Sequence, residues 1–161
     1  MDSSDDKFIF RDGLAIKTIN WRADLNDEWL AKYNRLREIE PRLVPVIAVE
    51  NSNTVIMPEL DLSRYKIICE YIERDGKYPD RAFANYLRLF ANIVAFNEQE
   101  NFWHFDFSNQ NIIVDPQGDV MLIDPDGFVT LEHNQLFETR YKLARAFQDI
   151  EYTYFQRKKR A

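Results

Sequence analysis

Two carboxylates and an amide stand in the stretch from Phe102 to Phe128, FWHFDFSNQNIIVDPQGDVMLIDPDGF. Asp106 is followed five residues on by Asn111, and Asp124 comes after two apolar runs, Ile112 to Val114 and Val120 to Ile123. A carboxylate together with a side-chain amide offers the hard oxygen donors that Mg2+ prefers. A second carboxylate can orient or deprotonate a hydroxyl group. Between the apolar runs, Asp115, Pro116, Gln117 and Gly118 are turn residues, so the segment reads as a hairpin. Two antiparallel strands return the chain and would bring Asn111 and Asp124 close in space. The plain alternative is an ordinary β-hairpin with polar flanks.

The order His-x-Asp-x4-Asn, strand, turn, strand, Asp resembles the catalytic centre of the protein-kinase-like phosphotransferases. In that family the loop Asp is the base, and the loop Asn and the Asp after the hairpin hold the metal. The resemblance therefore implies Asp106 as base and Asn111 and Asp124 as Mg2+ ligands, with ATP as phosphate donor. Upstream, Ala15-Ile16-Lys17 resembles the Val-Ala-Ile-Lys strand whose Lys contacts the ATP phosphates. By the same resemblance a helix Glu should pair with Lys17, and Glu28 is the candidate. Around Met57 to Asp61, MPELD, an interlobe hinge would hold the adenine through the Pro58 carbonyl and the Leu60 N–H. Pro125-Asp126-Gly127-Phe128 follows Asp124 where protein kinases have Phe-Gly. The resulting Asp-x-Asp is more similar to lipopolysaccharide (Kdo) kinases and to aminoglycoside or choline kinase relatives. Asp126 is then a second metal or substrate carboxylate, or the cap of a turn before Gly127. Tyr141-Lys142-Leu143-Ala144-Arg145 is similar to a Tyr-Asp-Leu-Ala-Arg stretch of small-molecule kinases, with Lys142 in place of the Asp.

Composition bounds the rest. The chain has 161 residues, 45% of them hydrophobic and 14% aromatic, with only 4 Gly, so a core of large side chains is expected. A net charge of −6 gives no reason to expect nucleic-acid binding. Arg157 to Arg160, RKKR, is the one basic cluster, and it reads as a solvated, frayed tail. With Cys69 as the sole cysteine no internal disulfide can form, which fits a reducing compartment. No apolar run is long enough to span a membrane and MDSSDDK lacks a signal-peptide core, so a cytoplasmic location is expected.

The elements that would position these groups can be read in order. Residues 1–7 look like a disordered leader. Phe8 to Phe10 and Leu14 to Ile19, joined at Asp12-Gly13, form a hairpin. A helix runs from Leu25 to Ile39 with Asp24 as N-cap and Pro41 beyond its end. Leu43 to Val49 and Thr54 to Met57 make a second hairpin, and Ser63 to Arg74 reads as a helix. Asp80 caps a long helix from Arg81 to Glu98 whose apolar residues include Phe83, Tyr86, Leu87, Phe90 and Ile93. A last helix spans Gln135 to Phe155. The resemblance thus implies an α+β, bilobal protein-kinase-like fold. A reduced N-lobe at 8–60 would carry a small antiparallel sheet and one helix, and a mainly helical C-lobe at 61–161 would carry the catalytic hairpin.

Four parts of the family pattern are missing. Only Gly13 precedes Lys17, so there is no Gly-rich phosphate loop and its strand is absent. Ser108 stands where protein kinases place a Lys, and the segment between Asp124 and the last helix is too short for a peptide-docking platform. Later helices of the larger lobe are lacking too. These departures favour a small-molecule or sugar hydroxyl as acceptor, with a protein partner completing the site or a homodimer left open. The leading expectation is an ATP- and Mg2+-dependent phosphotransferase. A pseudokinase-like binding module and a nucleotidyl transferase are the alternatives.

Overall fold

The computed structural model describes residues 6–161, so the first five positions of the expected leader lie outside the described residues. Among the described residues the fold is α+β, with three antiparallel sheets and four α-helices, and the chain divides into two units, Met1–Asp61 and Leu62–Ala161.

The first unit is a four-stranded sheet in the order β1-β2-β4-β3 with one helix. Strands β1 (Lys7–Arg11) and β2 (Leu14–Thr18) are joined by Asp12 and Gly13, both at positive φ, 54° and 76°. Positive φ at both central residues suits a two-residue hairpin whose twist matches that of the strands. It sets Phe8 opposite Lys17. Lys7 is already in the sheet and Asp6 is largely buried against Lys17, so the last two residues of the expected leader are part of the fold. Helix α1 covers Asp27–Ile39, and its N-cap is Asn26, whose side chain accepts the Trp29 N–H at 2.9 Å. Asp24 was expected in that role. It instead makes a two-pronged pair with Arg22, whose guanidinium pulls its carboxyl below the usual carboxylate range. Helix α1 buries Trp29, Tyr33 and Leu36, and the Tyr33 hydroxyl donates to the Val44 carbonyl at 2.7 Å. β3 (Ala48–Glu50) and β4 (Thr54–Pro58) form the second hairpin, shorter than expected on its first side.

In the second unit the expected helix at 63–74 is broken. A short strand β5 (Lys66–Ile67) is followed by α2 (Ile68–Glu70), which widens into a π-turn over Tyr71–Asp75. The break has a cause in pairing: Lys66 and Ile67 hydrogen-bond beside Val114 and Ile113. Long helix α3 (Pro79–Glu100) starts with Pro at its first position and buries Ala82, Tyr86, Leu89, Ile93 and Phe96. Asp80 does not cap it. Its carboxylate accepts the Tyr154 hydroxyl at 2.8 Å and pairs with Lys158 at 2.7 Å, and these two contacts lower its pKa. Helix α4 covers Leu136–Arg160 and buries Thr139, Leu143, Ala146 and Ile150, one stripe of a 3.6-residue repeat. Between α3 and α4, Phe90, Phe107 and Phe147 interlock with Tyr86, the aromatic core expected from composition.

The basic tail is helical rather than frayed. Arg157 Nη1 donates to the carbonyls of Tyr71 and Ile72 at 3.1 and 2.8 Å, and Nη2 to that of Gly76 at 2.9 Å. The Tyr71 carbonyl also accepts the Gly76 N–H at 2.7 Å, and the flat guanidinium fork adds a second donor there while meeting the other two carbonyls. Arg157→Ala is therefore expected to lower the unfolding free energy by about 2 kcal/mol. Arg157→Lys should recover less than half of that, because an ammonium lacks the fork. Urea-unfolding midpoints of the two variants check both statements.

Among the described residues no helix is long and apolar enough to cross a membrane.

Candidate active site

The loop that carries Asp106 is fastened at its start by the end of α3. Asn101, in the left-handed region at φ 48°, turns the chain out of the helix. Its side chain accepts Trp103 Nε1–H at 3.0 Å and donates to the Leu131 carbonyl at 3.1 Å. Strand β6 (Trp103–His104) then pairs with β9 (Phe128–Val129), His104 opposite Phe128. Strands β7 (Ile112–Val114) and β8 (Val120–Leu122) are the hairpin, widened by β5 into a three-stranded sheet. Asp115 closes the turn: its Oδ1 accepts the N–H groups of Gln117 and Asp119, each at 2.9 Å, and Gly118 supplies φ 89°.

This frame brings Asn111 and Asp124 together. Asn111 Nδ2 donates to Asp124 Oδ2 at 3.4 Å, and Ile123 N–H donates to the Asn111 carbonyl at 2.9 Å. Mg2+ accepts carboxylate and amide oxygens, so Asn111 would have to turn its Oδ1 rather than its Nδ2 towards an ion shared with Asp124. Among the described residues no group of three or more His, Cys, Asp or Glu side chains could hold a metal by itself.

Two residues not singled out from sequence position this pair. His104 is fully buried, with Nε2 2.7 Å from the backbone oxygen of Asp124 and 3.7 Å from its carboxylate. Its ring stands edge-on to Phe107 and Phe128. Gly127 lies against the imidazole so closely that a Cβ there would collide with the ring. Asn109 is the other. It donates to the Ala146 carbonyl of α4 at 2.8 Å and accepts the Tyr86 hydroxyl of α3 at 3.2 Å. The Asn109 contacts hold the loop between two helices. Burial pushes the Tyr86 phenol upward, so it remains a donor. The His-x-Asp pattern contains His104, but only the short β6–β9 pairing shows which atoms it meets. Asp126 is 2% exposed in the turn Pro125–Gly127, so its carboxylate is turned inward rather than towards solvent.

Asp106 is exposed, and its Oδ1 lies 3.6 Å from Lys142 Nζ of α4. Beside it opens a pocket of about 400 Å3 lined by Asp106, Ser108, Gln110, Tyr141, Lys142 and Arg145, with Cys69 in its wall. Burial pushes the Cys69 thiol above its usual range, with Asp149 and Glu73 adding to the shift.

The remaining sequence-derived residues belong to the first unit. Lys17 is buried on β2, its Nζ 3.3 Å from Asp6 and 5.5 Å from the centre of the Phe8 ring. Glu28 lies exposed in the first turn of α1, and no ion pair between described residues joins it to Lys17. Sequence reading missed Asp6 because it fell in the expected leader. The signal lay in the Asp12-Gly13 turn, whose register puts residues 6–8 beside Lys17. Pro58 ends β4 opposite Leu14, Glu59 N–H donates to the Gly13 carbonyl at 2.9 Å, and Leu60 follows half-exposed.

No family model matches the chain. It is similar to CBL-interacting serine/threonine-protein kinase 16 of Arabidopsis thaliana, 24% identical over 124 residues. The matched part is 70% of this chain and 25% of that kinase, so the chain spans about a quarter of the length of the relative. This distant, partial similarity suggests the protein-kinase-like superfamily.

Proposed function

We propose that the chain is an ATP- and Mg2+-dependent phosphotransferase acting on a hydroxyl of a small molecule or sugar. The observation that carries this reading is the convergence of Asn111 and Asp124, 3.4 Å apart, in the unit that also exposes Asp106 beside a small-molecule-sized pocket. Similarity to a serine/threonine kinase supports the same chemistry.

In this reading Asp106 accepts the proton of the acceptor hydroxyl as its oxygen bonds to the γ-phosphorus of ATP. The bond from that phosphorus to the bridging oxygen breaks, and ADP leaves with the electron pair. Asn111 and Asp124 would hold the metal, whose positive charge would stabilise the phosphate oxygens when it is bound. Lys17 is the candidate phosphate contact, with Pro58 and Leu60 the candidate backbone partners of the adenine. The acceptor occupies the pocket at Asp106. Its volume of about 400 Å3 matches a small ligand rather than a folded protein surface.

ADP release from Mg2+-ATP is the test. Asp106→Asn should lower it by about 10²- to 10⁴-fold, the usual worth of a positioned proton acceptor, while melting stays within about 2 °C of wild type. Equal rates in the two proteins would remove Asp106 from the mechanism.

A second reading, a nucleotide- or partner-binding module without turnover, is favoured by one observation. Lys17 is paired with Asp6 on its own hairpin, while Glu28 faces solvent. This reading expects no ADP release and no dependence of stability on Mg2+-ATP. Transfer of label from the α- rather than the γ-phosphate would instead identify nucleotidyl transfer.

A further inference from the structure

The loop from Asp106 to Asn111, DFSNQN, contains no cation of its own. A carboxylate that must sit beside an incoming phosphoryl group faces like-charge repulsion there unless a positive group stands close. In this structure the cation comes from another element. Lys142 Nζ on α4 lies 3.6 Å from Asp106 Oδ1, and its side chain, 38% exposed, lines the same pocket as Asp106. Lys142 also lies 3.7 Å from Glu138, one turn earlier on α4. Its neighbour in the pocket wall, Arg145, is directed to Asp149 at 3.7 Å. Of the two cations lining the pocket, Lys142 is the one paired with Asp106.

The position of Lys142 is set by buried contacts rather than by the exposed pair itself. Leu143 and Ala146 seat this part of α4 in the core, and the Ala146 carbonyl accepts Asn109 Nδ2 from the loop. Loop and helix are thus tied within one turn of Lys142. An exposed ion pair would contribute little to stability, about 0–1 kcal/mol, so a structural role alone gives it small weight.

We propose that Lys142 is a positioning residue of the acceptor site. It aims the Asp106 carboxylate at the pocket and offsets its charge as the phosphoryl group arrives. The inference rests on the phosphotransferase reading above. Lys142 takes no part in proton transfer; the acceptor proton goes to Asp106. The acceptor therefore meets a fixed ammonium beside the base, an arrangement suited to a hydroxyl flanked by further hydrogen-bond acceptors such as neighbouring hydroxyl or ether oxygens.

The test is steady-state ADP release by the full chain with Mg2+-ATP and water as the acceptor, measured for wild type, Lys142→Met and Lys142→Arg. Lys142→Met should lower kcat by about 10- to 100-fold while the KM for ATP changes less than about twofold, the pattern of a group that acts in the transition state. Lys142→Arg should return kcat to within about fivefold of wild type, because a cation is restored. Lys159→Met, which removes an exposed cation at the far end of α4, should match wild type. If Lys142→Met keeps its kcat while Asp106→Asn loses activity, the inference is overturned and the phosphotransferase reading stands. A kcat loss that Lys142→Arg does not restore overturns it too, since the role assigned is charge. A wild-type chain that releases ADP no faster than Mg2+-ATP without protein overturns the phosphotransferase reading, and the inference with it.

Discussion

Asp124→Asn is expected to abolish the Mg2+-dependent part of ATP binding and to lower ADP release by on the order of 10³-fold. The substitution removes one negative charge and little else. Its amide oxygen can still accept Asn111 Nδ2, and its backbone oxygen still meets His104 Nε2, now 2.7 Å away. Folding should therefore be spared, and the melting temperature without ligand should move by less than about 2 °C. Wild type should melt several degrees higher with Mg2+ and ATP together than with ATP alone, since a ligand at about 100 times its Kd contributes about 2.7 kcal/mol. In Asp124→Asn that difference should vanish. A variant that keeps the Mg2+-dependent shift would show that the ion is held elsewhere.

The second large effect is expected at a residue with no side chain. Gly127→Ala would drive a Cβ into the His104 imidazole, which is fully buried and ringed by Phe107 and Phe128. The ring cannot swing aside, because those rings hold it on two sides. Either the turn Pro125–Gly127 moves or His104 loses its bond to the Asp124 oxygen. Overpacking and the lost hydrogen bond together should cost about 2–4 kcal/mol. Because both routes displace Asp124, the Mg2+-dependent shift should weaken as well. The double substitution Gly127→Ala with His104→Ala relieves the collision, so it should be more stable than the sum of the two single changes. Chemical unfolding of the four proteins measures that coupling. Strict additivity would mean that the close approach carries no energetic weight.

These two substitutions differ in how visible their basis was beforehand. The approach of Asp124 to Asn111 was legible because it follows from a hairpin with marked turn residues. Gly127 was not, because a close approach is a property of two distant segments meeting. His104 showed the same limit: its position in the His-x-Asp pattern was plain, and its burial against the strand ends was not. Strands of two residues, such as Trp103–His104 and Phe128–Val129, are too short to register as periodicity.

Caps and charges were misread for a related reason. Asp24 and Asp80 both stand just before or within the first turn of a helix, and either could have capped it. Tertiary partners won instead: Arg22 takes Asp24, and Tyr154 and Lys158 take Asp80. A local preference worth about 1 kcal/mol is easily displaced by a charged partner that arrives from elsewhere in the fold. Arg157 repeats the lesson, since a basic tail looks solvated until the carbonyls of Tyr71, Ile72 and Gly76 are seen to end at it.

What the sequence by itself determined is the local geometry: the Asp12-Gly13 hairpin that registers Lys17, the hairpin that returns Asp124 to Asn111, and the amphipathic helices α1, α3 and α4. Each is decided by neighbours within about a dozen residues, through turn chemistry and hydrophobic repeat. Only the tertiary structure decided which partner each charged group meets: Asp6 rather than Glu28 for Lys17, and Lys142 for Asp106. Charges are satisfied by whatever opposite charge the folded chain brings within a few ångströms. That distance is set by helix packing and strand pairing between segments far apart in sequence.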